Sequence, residues 1–393
     1  MNHDQIRHLR SLRLLLSQDK APLGFLLAAG CPLSVKEDSG DSLLPDMAGL
    51  TRIINDKHVA DTADKPYKRL IKELNKANKD GSNLEDVLTY IRSMREVSTG
   101  GGSVRGFTED ELNNLEVEIC ETIATAVTKE LPDGDNSYRR LARWVSSIDR
   151  AVPVEIFTTN YDLLLEQALE EQSVPFFDGF SGSRCPFFDI HSVEGNEMPA
   201  YWARLWKLHG SVNWKSTSGG VCRVSKDTPG SPELIYPSKL KYDQSRKMPF
   251  LAMSDRLINF LLKPHAVLFI CGYSFGDEHI NNTIINALKV NQSANVVALM
   301  YGKMKKEKDV SGALVASEAV KRALERPNLS VWHDDEAVIG TQRREWSKFT
   351  DNKSEFAEFN LKIVDGCVSF GDFNTFTSFL LELIGAYPDA DKK

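Results

Sequence analysis

No two of the six cysteines stand in a Cys-x-x-Cys pair. Cys31, Cys120, Cys185, Cys222, Cys271 and Cys367 are scattered over 393 residues. A structural zinc site needs closely spaced thiolate pairs to build its tetrahedron, so no zinc ribbon is expected. A chain of this length has no need of a disulfide framework, and the cysteine usage suits a reducing cytoplasm. There is no apolar run of the roughly eighteen residues that a membrane span requires. Residues 6–16 are rich in leucine but are broken by Arg7, Arg10 and Arg13. No small-residue cleavage site follows, so an amphipathic helix is the expectation rather than a signal peptide. Basic residues are also outnumbered, with 48 Lys and Arg against 55 Asp and Glu and a net charge of −7. That balance gives no indication of direct nucleic-acid binding, which needs a basic surface to displace counterions. Neither Gly-x-Gly-x-x-Gly nor Gly-Lys-Ser/Thr occurs, so neither the usual dinucleotide fingerprint nor a P-loop is present.

The material that is present suits a large folded protein, with a hydrophobic fraction of 41%. Residues 23–29 form a short apolar run that ends at Gly30, as a buried strand entering a tight loop does. Residues 51–150 carry mainly the helical period. Tyr67 to Ala77 places Leu70, Ile71 and Leu74 on one face, and Asn83 is an N-cap candidate for the helix after it. Four glycines between residues 98 and 106 mark a break before two further helices. Strand patterns return at 154–158, 205–208, 234–236, 266–272, 295–301 and 329–332. Helices are expected at 162–171, 253–262, 277–290 and 372–386. A strand, a glycine turn and a helix in repetition give an α/β fold. The expectation is a doubly wound, Rossmann-like parallel sheet with a large helical insertion. The first part of the sheet domain would span residues 1–50, the insertion 51–150 and the remainder 151–302. Residues 303–393 would complete the sheet and supply an assembly surface.

Four strand ends carry polar or glycine-bearing loops. Ala28, Ala29, Gly30, Cys31, Pro32, Leu33 and Ser34 follow the first strand. Small residues there let a backbone approach phosphates, or simply allow a tight turn. Thr159, Asn160, Tyr161 and Asp162 follow the second, with Thr159 or Asn160 also suited to capping the next helix. Lys207, Leu208, His209 and Gly210 end a third. A histidine near neutrality can accept a proton, or can serve only as a structural loop residue. Gly272, Tyr273, Ser274, Phe275, Gly276 and Asp277 follow the fourth. Asp277 suits both a sugar hydroxyl and a helix N-cap. One parallel sheet would bring all four loops to the same rim.

In this order, these motifs resemble the sirtuin-like family, and its bacterial antiphage-defence branch more than its deacetylase branch. The match covers roughly residues 20 to 300. The resemblance implies that NAD is bound as a substrate. It implies that Asn160 orders the ribose and a water, that Asp162 contacts the nicotinamide carboxamide, and that His209 is the base near the ribose hydroxyls. Ala29, Gly30, Ser34, Thr159, Gly272, Ser274 and Asp277 would line the dinucleotide. It also implies a homo-oligomer and a HerA-type ATPase partner. Two departures stand out. Ala28 replaces the first glycine of the usual Gly-Ala-Gly, which with Pro32 stiffens the loop. The zinc ribbon that frames an acyl-lysine groove is missing, which weighs against deacylation.

The chemistry implied is cleavage of the nicotinamide–ribose bond to give nicotinamide and ADP-ribose. Nicotinamide departs as a neutral group from a cation, so the protein must chiefly orient the ribose and deliver water. Three alternatives stay open at the level of sequence. They are an NAD-dependent protein deacylase, a non-catalytic NAD-sensing subunit and a nucleotide-binding enzyme of unrelated chemistry, because a fold does not fix a function.

Overall fold

A computed structural model describes residues 2–59, 62, 64–77, 79–195, 197–224, 234, 248–304, 307–308, 314–347, 363–364 and 367–386. Its centre is a nine-stranded sheet. In chain order its strands are β1 (Leu23–Leu27), β2 (Val154–Thr158), β3 (Phe176–Phe177), β4 (Ala203–Lys207), β5 (Val267–Cys271), β6 (Asn295–Leu299), β7 (Leu329–Trp332), β8 (Glu336–Ile339) and β9 (Gln342–Glu345). Across the sheet the order is β9-β8-β7-β6-β5-β1-β2-β4-β3. All pairs from β7 to β3 are parallel, and the β8–β9 hairpin adds an antiparallel edge.

The central strands are buried on both faces, so they read as continuous apolar runs rather than alternating ones. The period of two still sorts their side chains. Leu23, Phe25 and Leu27 enter one core with Trp144 and Phe376. Leu26 enters the other with Phe157 and Phe260. The first core is covered by α1 (Gln5–Leu16), α6 (Ser137–Ser147), α7 (Leu164–Glu171) and α11 (Phe373–Leu383). The second is covered by α8 (Phe250–Leu261), α9 (Glu278–Val290) and α10 (Glu318–Glu325). Buried Glu155 of β2 is satisfied by Trp206 Nε1 at 2.9 Å and Lys263 Nζ at 2.6 Å. The doubly wound α/β sheet read from the sequence is therefore present.

Between β1 and β2 lie α2 (Met47–Lys57), α3 (Pro66–Lys76), α4 (Leu84–Ser98) and α5 (Glu109–Val127). They share a core of their own, built from Leu50, Ile54, Leu70, Leu88, Ile91, Leu115 and Ile119 among others. Asn83 caps α4, and Thr108 with Glu111 forms a capping box on α5. Each cap satisfies backbone N–H groups that a helix start leaves open. The helix at 137–147 packs with the sheet layer, so the separately packed helices close at Val127.

Three features differ from the sequence reading. Residues 173–204, where no element is expected from the sequence, are not bare loop. They supply β3, the helix Ile190–Gly195 and the strands Phe180–Ser181 and Phe187–Phe188. The last two join Trp214–Thr217 and Gly220–Arg223 in a small antiparallel sheet. Strands of two residues carry no detectable period. The β8–β9 hairpin was likewise hidden, β8 by its shortness and β9 by the polar sequence of an exposed edge strand. Finally, α7 starts at Leu164 without a cap from Thr159 or Asn160. The Leu164 N–H is taken by Asp162 Oδ1 at 3.1 Å. Of the 234–236 strand candidate, Leu234 forms a single bridge to Gly210, and the rest lies outside the described residues.

Candidate active site

Strand β1 is the first in the chain and lies in the middle of the sheet. The chain winds from it to β2 and β4 on one side and returns to β5 on the other. The crevice outside the carboxyl ends of β1 and β5 is thus a topological switch point, where open α/β sheets take ligands. Here the two loops touch backbone to backbone. The Gly30 N–H donates to the Gly272 carbonyl at 2.9 Å. A Cβ on Gly272 would stand 2.5 Å from Cys31 N, and its φ is +66°. Only glycine fits that position on both counts.

A cleft of about 220 Å³ opens at this point. All four strand ends contribute to it: Ala28 and Ala29; Thr159, Asn160, Tyr161 and Asp162; His209; and Gly272, Tyr273, Ser274, Gly276 and Asp277. His209, Asn160, Asp162, Ala29, Thr159, Gly272, Ser274 and Asp277 are thereby brought together. Gly30 and Ser34 do not line the cleft. The Gly30 N–H is spent on Gly272. Ser34 Oγ lies 2.7 Å from the Cys31 carbonyl and 2.6 Å from Ser137 Oγ.

Sequence reasoning missed the roof. Leu44, Pro45, Asp46, Met47, Leu50, Glu85 and Val127, from α2, α4, α5 and the segment leading into α2, close the cleft over the strand ends. Nothing local in the sequence marks them, because their place depends on how the inserted helices pack on the rim. Among the described residues, the lining holds the carboxylates Asp46, Glu85, Asp162 and Asp277 and no lysine or arginine.

His209 is buried, and its Nε2 lies 3.2 Å from Asp277 Oδ2. The other oxygen of Asp277 accepts from the backbone N–H groups of His279 (3.0 Å) and Ile280 (3.2 Å), capping α9. One carboxylate therefore caps a helix with one oxygen and sets the other beside the imidazole. Its loop is braced from below. Asn281 Nδ2 donates to the Phe275 carbonyl at 2.7 Å, and Tyr273 Oη approaches Asn281 Oδ1 at 2.8 Å. Phe275 sits at φ +59°, a left-handed conformation that costs energy for a bulky residue and needs such bracing.

Asn160 Nδ2 donates to the Ala28 carbonyl at 3.3 Å, and its backbone N–H donates to Thr158 Oγ1 at 3.0 Å. Asp162 is 5% exposed. Burial raises its pKa from 3.8 to about 6, against the pull of Lys207 and with the help of the like charge on Glu166. The Lys207 ammonium is itself buried. It donates to the backbone carbonyl of Asp162 and, at 2.7 Å, to Glu166 Oε1. The strand end that carries Asn160 and Asp162 is thus pinned from β4.

Among the described residues, no group of three or more His, Cys, Asp or Glu side chains is placed to hold a metal ion. No helix among them is long and apolar enough to cross a membrane.

No curated protein sequence shows significant similarity to the chain. Solved structures similar to it include one from a study of the mechanism and regulation of Sir2 enzymes. It is 12% identical, covers 79% of this chain and 92% of its own, and has a TM-score of 0.35. A mutant Sir2 homologue in complex with ADP ribose is 11% identical, covers 77% and 88%, and has a TM-score of 0.34. A Sir2 homologue in complex with NAD is 12% identical, covers 80% and 87%, and has a TM-score of 0.35. The stretch from β2 through most of α10, residues 154–324, matches the SIR2-like domain family.

Proposed function

We propose that this protein is an NAD glycohydrolase, releasing nicotinamide and leaving ADP-ribose. The observation that carries the reading is the meeting of His209, Asn160, Asp162 and Asp277 in one cleft at the switch point, inside the stretch that matches a SIR2-like domain. The cleft is smaller than the roughly 300–1,000 Å³ of pockets for drug-sized ligands, so it suits the nicotinamide–ribose end of the dinucleotide. Its charge also fits. Carboxylates in the lining, with no lysine or arginine among its described residues, favour the nicotinamide cation and the positive charge that builds on the ribose as the bond breaks.

His209, beside Asp277, and Asn160 position water and the ribose hydroxyls. Asp162 holds the carboxamide. Loss of one such group commonly costs about a hundred- to ten-thousand-fold in rate. His209→Ala and Asn160→Ala should each lose nicotinamide release to that extent while melting within a few degrees of wild type. The assay incubates the purified protein with NAD alone and follows nicotinamide and ADP-ribose. Near-wild-type hydrolysis by both variants would refute the assignment, and product release only with an acylated peptide would indicate a deacylase.

The wider setting rests on the order of the motifs. On that resemblance the protein depletes NAD in antiphage defence, as a homo-oligomer alongside a HerA-type ATPase. Size-exclusion chromatography with and without the ATPase tests the assembly, and a monomer under both conditions counts against it.

A further inference from the structure

Tyr161 stands between the two rim residues Asn160 and Asp162, yet it belongs partly to another unit. Its side chain packs against the core of the inserted helices, as does Val212 of the loop that follows His209. Glu85 and Arg92 of α4, Cys120 of α5 and Asp277 of the rim all bear on its phenol, and burial holds that hydroxyl well above its ordinary pKa. The Tyr161 carbonyl accepts from the Val212 N–H at 3.0 Å and is 3.4 Å from Ser211 Oγ. One residue therefore touches the strand end with Asn160 and Asp162, the loop with His209, and the insert. On the insert side the footing is firm. Arg92 Nε lies 2.6 Å from Glu116 Oε1, and Arg95 pairs with the same carboxylate, which ties α4 to α5.

We propose that Tyr161 is a positioning residue through which the packing of the inserted helices sets the relative placement of Asn160, Asp162 and His209, so that the insert controls turnover more than nucleotide binding. The inference rests on the NAD-cleavage reading for its kinetic consequence but not for its structural one. Reacting groups displaced by about 1 Å lose about a hundredfold in rate, whereas binding spread over the rest of a dinucleotide changes little.

The test uses the full chain. Tyr161→Ala is expected to lower kcat about tenfold or more with KM within about threefold, and the conservative Tyr161→Phe to restore kcat to within about threefold of wild type. Leu115→Ala removes a buried side chain of the insert core that does not line the cleft. It should lower kcat in the wild-type background and add little in the Tyr161→Ala background, the signature of coupled positions. An equal loss in both backgrounds, or an unchanged kcat in Tyr161→Ala, overturns the proposal. Hydrogen exchange gives a readout that does not depend on activity. Amides of residues 158–164 and 209–214 should exchange faster in Tyr161→Ala and Leu115→Ala than in wild type or Tyr161→Phe. If the wild type cleaves no NAD, the functional reading fails, and the exchange result alone decides the inference. If Tyr161→Ala does not fold, the same amides are read in Leu115→Ala, where unchanged exchange overturns it.

Discussion

Asp162 turns burial into a pH-dependent stability that can be measured without any substrate. Its carboxyl is 5% exposed, and burial lifts its pKa from 3.8 to about 6. A group that binds its proton more tightly when folded favours the folded state at low pH. That contribution is full below 3.8 and is lost as the pH rises through 6. Each pH unit of the gap is worth about 1.4 kcal/mol, so above pH 6 the ionised carboxylate costs the fold about 3 kcal/mol. Asp162→Asn removes the charge and keeps the shape. The Lys207 ammonium retains its bond to the backbone carbonyl of residue 162 and its pairing with Glu166. Urea denaturation of both proteins from pH 4.5 to 8 is the assay. The variant should gain on wild type as the pH rises, by about 2 kcal/mol between pH 4.5 and 8, with most of the change below pH 6. A difference that stays constant across that range would refute the reasoning. On the proposed function the same variant loses NAD cleavage, making it a protein more stable and less active than its parent.

Asp277 has two jobs that substitution can separate. Asparagine caps helices as well as aspartate, so Asp277→Asn should keep the melting temperature while slowing NAD cleavage about tenfold or more, and Asp277→Ala should lose about a further 1 kcal/mol of stability. Equal activity in wild type and Asp277→Asn would show that the 3.2 Å contact with His209 has no part in turnover. Gly272→Ala places a Cβ 2.5 Å from Cys31 N at a positive φ, and should cost at least about 2 kcal/mol in chemical denaturation. A neutral result there would mean that the two loops are free to part.

The sheet was legible because its central strands are buried on both faces. Residues 154–158 form β2 as read, and 329–332 form β7, since short runs dominated by β-branched, aliphatic and aromatic residues between turns suit a buried strand. The convergence of four strand ends followed from parallel topology alone. What was hidden depends on contacts distant in sequence. Glu85 and Val127 look like ordinary helix residues until the insert is folded over the rim. The helix at 137–147 has the same period as those before it, and only the sheet shows that it packs elsewhere. Gly30 and Ser34 carried a local signal of small, polar residues, but that signal does not say where an N–H or hydroxyl is already spent. Tyr161 was passed over because an aromatic between two polar residues announces nothing until its neighbours are known.

Strand β1 also sets an order of events during synthesis. It is made early, but it pairs with Val154 on one side and Val267 on the other. Both partners lie far down the chain, and closing such long loops is slow and costly until the contacts exist to reward it. His209, Asn160 and Asp162 leave the ribosome before the strand that brings Asp277. A nascent chain therefore carries three corners of the cleft without the fourth wall. On the proposed function, a copy that still lacks the Asp277 loop lacks one wall of the cleft in which NAD would be cleaved.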